Sequence, residues 1–112
     1  MTEHQWRAVA EFIQQAGSEE ADQALMEQLV AALHELNVPR TVVERLQQAT
    51  STALRRAFEA DNSRAVSVIV MTQAVQPLSQ PMAHSWGFFL LERGTSERGL
   101  YQITVFLYPD GS

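Results

Sequence analysis

Three arginines, Arg55, Arg56 and Arg64, follow Arg40 and Arg45 in the chain, and guanidinium groups gathered in this way can hold an anion through charge-assisted hydrogen bonds. The competing account pairs Glu59 with Arg55 and Arg56 at four- and three-residue spacing on a solvated helix face, an arrangement worth about 0.2–0.5 kcal/mol per pair. The solvated pairing is the expectation, because exposed charge runs rarely do more. His4, His34 and His84 have no metal-ligand spacing, and there is no cysteine, so neither a metal centre nor thiol chemistry is expected. Ser51, Ser79, Ser85 and Ser96 stand in no motif that would activate a nucleophile. The other concentrated set is aromatic: Trp86, Phe88, Phe89, Phe106 and Tyr108. Strand core explains most of it. Phe88 and Phe89 are neighbours, however, and in a strand they face opposite ways, so one of them needs a cover other than the core.

Charge placement narrows the partners. The chain has 112 residues and a formal net charge of -5. Residues 1–37 carry seven acids against Arg7, residues 38–64 carry five arginines against three acids, and the remainder is nearly balanced. An acidic total disfavours sequence-independent binding of nucleic acid, whose affinity comes mostly from a basic face. Stacking of bases on the aromatics is disfavoured too, since Arg93 and Arg98 are matched by Glu92 and Glu97. With 46% apolar and 19% charged residues, the composition is that of one globular domain spanning 1–112. No apolar run reaches the roughly 20 residues of a membrane span, and Met1 to Gln5 does not read as a signal peptide, so a cytoplasmic protein with no membrane partner is expected.

The elements that would position these residues are legible from periodicity. Ala21, Leu25, Leu29, Ala32, Leu33 and Leu36 predict an amphipathic helix over 20–36 with Ser18 as N-cap, stopped by Asn37-Val38-Pro39. Thr41 and Glu44 form a capping box for a second helix running to about Ala60, and so short a connection predicts an antiparallel pair. From Ala65 the period changes to two, predicting an interior strand through Met71. The segment from Gln73 to Ser85, with Pro77 and Pro81, reads as a mobile loop. Trp86 to Glu92 and Leu100 to Tyr108 then form a hairpin around Arg93 to Gly99, with Tyr101, Ile103, Val105 and Leu107 facing the core and Gln102, Thr104, Phe106 and Tyr108 facing away. Residues 3–16 fit either a helix ended by Gly17 or a strand in which Trp6, Ala8, Ala10 and Phe12 alternate.

The second helix carries a resemblance. Glu44 to Asn62, E-R-L-Q-Q-A-T-S-T-A-L-R-R-A-F-E-A-D-N, resembles the second conserved helix of the serine-kinase-type anti-sigma factors, members of the GHKL ATPase superfamily, with Glu44, Arg45, Leu46, Ala49, Ala53, Ala57, Glu59 and Asn62 in register. W-R-A-V-A-E-F resembles the first strand of such domains and tips residues 6–13 towards strand. The positions that do the family's chemistry depart from it. Thr52 stands where the resemblance places an activating Glu, Arg56 where it places the magnesium-holding Asn, and Ala60 where it places a His. Thr cannot act as a carboxylate base, and a guanidinium cannot ligate a cation. Glu92-Arg93-Gly94-Thr95-Ser96 is at best a vestige of the glycine motif, and no Gly-rich nucleotide lid follows.

The expected fold is therefore α+β, a mixed or antiparallel sheet of three or four strands with two antiparallel helices on one face, in the order β-α-α-β-β-β. The resemblance implies a shortened GHKL-like domain, with Thr52, Arg56, Glu92 and Gly94 around a relic pocket that holds no cofactor. Its expected role is that of a non-catalytic regulator in a partner-switching or signalling circuit, with a sigma factor or an antagonist domain as the implied partner. Phe88, Arg93, Arg98, Phe106 and Tyr108 are the candidate partner-binding residues, and a homodimer through the same face competes with that partner. Two alternatives stay open: a nucleotide-binding domain with an unorthodox site, and a structural subunit of a larger assembly.

Overall fold

The computed structural model describes residues 6–15, 19–59, 65–73, 86–95 and 100–109. They form β1 (Arg7–Gln15), α1 (Glu19–Glu35), α2 (Arg40–Glu59), β2 (Ala65–Thr72), β3 (Trp86–Thr95) and β4 (Leu100–Pro109). The four strands make one mixed sheet in the order β1-β2-β4-β3, with the helices on one face. This is the expected α+β architecture and element order. The β1–β2 and β3–β4 pairs are antiparallel, while β2 and β4 run parallel, so the last strand lies inside the sheet between β2 and β3. Residues 7–15 resolve to strand, the second of the two patterns legible there.

α1 buries Leu25, Met26, Leu29 and Leu33, residues at three- and four-residue spacing, and Glu19, Glu20 and Asp22 place negative charge at its dipole-positive end. Its C-terminus is closed by local chemistry. Asn37 adopts a left-handed φ of 61°, the Val38 amide donates to the Leu33 carbonyl at 3.2 Å, and the Asn37 amide donates to the His34 carbonyl at 3.0 Å. That pair of bonds satisfies two orphan carbonyls while burying Val38 against the core, a Schellman ending with Asn in the position usually held by Gly.

α2 starts two residues earlier than the capping box predicts. The Pro39 carbonyl already accepts from the Val42 and Val43 amides, which puts Thr41 inside the first turn and removes it as N-cap. Glu44 pairs instead with Arg40 at 3.3 Å on an exposed face. The buried stripe of α2 is Val42, Val43, Leu46, Thr50, Ala53, Leu54 and Ala57, with the small residues lying where the helix meets the sheet.

The sheet face under the helices supplies Val66, Val68 and Val70 from β2 and Ile103, Val105 and Leu107 from β4, all fully buried. Phe12 of β1 and Phe88 and Leu90 of β3 extend this layer to both edges. β3 runs three residues past the predicted Glu92, because Arg93, Gly94 and Thr95 pair with Gln102, Tyr101 and Leu100, so the loop is shorter than the sequence implied. Several expectations lie outside the described residues: the Ser18 cap, the loop over 74–85, residues 96–99 with Arg98, and Arg64, His4 and His84. Among the described residues, no helix is long and apolar enough to cross a membrane.

Candidate functional site

The residues assigned to a relic pocket meet in part, on the helix side of the sheet at its β3 edge. Arg56, in the last turn of α2, reaches across to Glu92 of β3 and donates from Nε at 3.2 Å and from Nη2 at 2.5 Å. The Tyr101 hydroxyl, from β4, donates to the same carboxylate at 2.9 Å. A carboxylate accepting from a forked guanidinium and a phenol is stabilised in its charged form. Arg56 accordingly holds the Glu92 carboxyl below its ordinary value, against a partial desolvation that pushes it up, with the Tyr101 hydrogen bond adding to the lowering. Burial and the bond to Glu92 raise the Tyr101 phenol, and Glu92 raises the already high Arg56. Gly94 faces the Tyr101 ring, where a Cβ would sit 3.4 Å from it.

This arrangement revises the solvated pairing read from sequence: the partner of Arg56 is Glu92, 36 residues away, and not Glu59. Thr52 stands apart from the group. It is exposed, and its hydroxyl donates to the Gln48 carbonyl one turn back. Arg56, Glu92 and Tyr101 thus satisfy one another, leaving no free carboxylate to serve as a base and no free guanidinium to take a phosphate among these three.

The second site lies on the opposite face. By register, Glu11, Ile13, Ser67, Ile69, Met71, Gln102, Thr104, Phe106, Phe89, Leu91 and Arg93 point away from the helices. No helix among the described residues packs on this side, and the shortest extent of the molecule is 18 Å, the depth of one sheet and one helix layer. Phe89 and Phe106 stack with ring centroids 4.7 Å apart and planes at 15°. Trp6 sets its ring perpendicular to both, 4.9 Å from Phe106 and 6.2 Å from Phe89, and Tyr108 lies 6.4 Å from Phe89. Offset and edge-to-face rings at such separations attract one another beyond simple area burial. The Tyr108 ring covers Gly87, which has no Cβ to obstruct it.

Phe106 and Tyr108 therefore occupy the surface to which they were assigned, and Arg93 borders it. Phe88 does not. It faces the helices, packs on the core, and carries the Arg45 guanidinium 5.7 Å above its ring. Its neighbour Phe89, half exposed, takes the role on the open face. Trp6 was missed because the alternation of Trp6, Ala8, Ala10 and Phe12 assigns it to the face of Phe12, whereas the register shift between Ala8 and Ala10 breaks that pattern and the Trp6 ring meets Phe89 and Phe106 on the other face. Tyr101 was missed because its hydroxyl reaches Glu92 only when β3 and β4 pair.

A groove of about 770 Å³ also opens between α1 and α2, lined by Met26, Val30, His34, Gln47 and Ser51 with Asp22 and Glu27 at its rim. Asp22 is engaged there, accepting from the Gln14 side chain at 2.7 Å. No protein-family model, no curated protein and no solved structure matches this chain.

Proposed function

We propose that this chain is a non-catalytic protein-binding regulatory domain that docks a protein partner on its open sheet face. The observation that carries this reading is the stacked Phe89–Phe106 pair, framed by Trp6 and Tyr108, on a face that no helix among the described residues covers. Aromatic side chains concentrated on an accessible, rigid surface are the usual anchors of an interface, because they bury a large area with little loss of side-chain entropy. Among the described residues, the large apolar side chains that remain exposed are Val9, Ile13, Phe89 and Leu91, with 41, 64, 50 and 55% of their surfaces open, and all four lie on the two edge strands.

The resemblance of α2 to the anti-sigma ATPase helix supplies the rest of the proposal: a fold derived from that family, working in a signalling or partner-switching circuit in the cytoplasm, with a sigma factor or antagonist domain as partner. The Arg56–Glu92–Tyr101 group supports a non-catalytic role, since Arg56 and Glu92, two of the four relic-pocket positions, are engaged with each other. Thermal unfolding with and without millimolar Mg-ATP tests this role. No change in Tm is expected, because only a ligand that prefers the native state raises it. A rise of several degrees that follows ATP concentration, absent with AMP, would establish a working nucleotide site and overturn the reading.

A further inference from the structure

We infer that the occupant of the open sheet face is a second copy of the same chain, packed face to face about a two-fold axis that runs along the strands. The inference rests on the docking face proposed above and gives that face a second copy of this chain in place of a sigma-factor or antagonist partner. Its starting point is where the exposed groups lie. On the open face of the β1 edge the order along the strand is Glu11, Ile13; on the β3 edge it is Phe89, Leu91, Arg93. β1 and β3 run in the same direction, because each is antiparallel to one of the parallel central strands.

A two-fold axis parallel to the strands exchanges the edges of the sheet while keeping each row of residues at its own height. β1 of one copy then lies over β3 of the other, and β2 over β4, the aligned arrangement in which twisted sheets pack face to face. The row Ala8–Met71–Phe106–Phe89 meets itself reversed, so Met71 of one copy lies over Phe106 of the other. The row Glu11–Ile69–Thr104–Leu91 does the same, and Ile13 meets the row of Arg93. Ile13, Phe89 and Leu91, exposed on the open face, are each covered by the opposite edge of the other copy. The acid on one edge comes within a single row of the base on the other, a spacing of about 7 Å along a strand that an arginine side chain can span.

Charge supports the same operator. Among the described residues, neither Glu11 nor Arg93 has an ionic partner within its own chain; the contact of Glu11 is the Ser67 hydroxyl at 3.4 Å. The alternative two-fold axis, across the strands, would set each strand over its own copy and keep Glu11 on the β1 side and Arg93 on the β3 side, out of each other's reach. Addition of a strand at the β1 edge is opposed by the register shift between Ala8 and Ala10, since such a bulge blunts an edge. The face measures about 19 Å by about 26 Å from strand spacing and rise per residue. A pair of copies thus covers at least about 1,000 Å² in projection, which reaches the threshold of a specific interface and predicts a weak, reversible dimer.

Sedimentation equilibrium of the full chain between 1 and 300 µM tests the inference, with folding of each variant checked by circular dichroism. A monomer–dimer equilibrium is expected. Phe89→Asp and, independently, Leu91→Lys should each raise the dissociation constant at least tenfold. Glu11→Arg and Arg93→Glu should each weaken it severalfold, while the double reversal restores it, because the two charges face each other only across this axis. A dimer indifferent to these changes would place the contact elsewhere and overturn the inference. A wild-type monomer throughout the range would also overturn it. In that case, binding of a hydrophobic dye lost in Phe89→Asp would keep the face as a docking surface for a different protein, and absence of dye binding would end both readings.

Discussion

Glu92 is the residue at which sequence and structure disagree most usefully. Read along the chain it ends a strand beside a charged loop; in the fold it joins α2 to the hairpin through Arg56 and Tyr101. Its folded carboxyl titrates below the ordinary value of 4.5. A group depressed in this way adds stability that is full above its unfolded value and is lost as pH falls through the lower, folded one. Wild type should therefore lose stability below about pH 5, and Glu92→Gln should be less stable at neutral pH but flatter across that acid range. Denaturant midpoints measured from pH 7 to pH 3 decide it; identical acid limbs in the two proteins would refute a stabilising role for the group. The sequence could not show this pairing because Arg56 and Glu92 are 36 residues apart and nothing local selects Glu92 over Glu59, whereas Asn37-Val38-Pro39 ends α1 through bonds to residues three and five positions back. Interactions closed within a turn are written in local sequence. Those closed by the sheet are not.

At the scale of elements, the period-two pattern of β4 placed Phe106 and Tyr108 outward without help from any neighbour, and the structure agrees. The same reasoning could state only that one of Phe88 and Phe89 is outward, because β3 is apolar on both faces and alternation alone does not say which face meets the helices. Pairing with β4 settles it, through Phe88 opposite Leu107 and Phe89 opposite Phe106. Gly87 is part of the same surface. A methyl group there would collide with the end of the Tyr108 ring, and the cheaper response is for the ring to swing away. Gly87→Ala should cost no more than about 1 kcal/mol, the low end for overpacking, because the obstructed group is a free side-chain end. It should also change the Tyr108 ring resonances relative to those of Phe89. An unaltered Tyr108 environment would mean that the ring does not rest over Gly87.

At the scale of the whole molecule, one layer of core binds both halves of the sheet. Leu46 of α2 is fully buried in it, together with Leu29 and Leu33 of α1, Val66 and Val68 of β2, and Ile103 and Val105 of β4. Leu46→Ala should lower unfolding stability by about 2–5 kcal/mol, measured by chemical denaturation. Phe89→Ala, half exposed on the other face, should fall well below that range, and near-equal losses would mean that the aromatic face belongs to the core. This division into a deep layer and an open one was legible in outline, since two amphipathic helices can cover only one side of a sheet. The mixed order of the strands was not, because nothing local in the sequence distinguishes a parallel from an antiparallel neighbour for β2.

That strand order governs how the chain can assemble as it is made. β1 and β2 can pair once both helices exist, but β2 cannot acquire its second neighbour until β4 has been synthesised, and β4 arrives with β3 already beyond it at the far edge. The growing chain must therefore keep the inner edge of β2 unpaired until β4 enters the middle of the sheet as part of its hairpin with β3. Until then the sheet is two unfinished pieces with an open seam, and β4 is the strand that joins them.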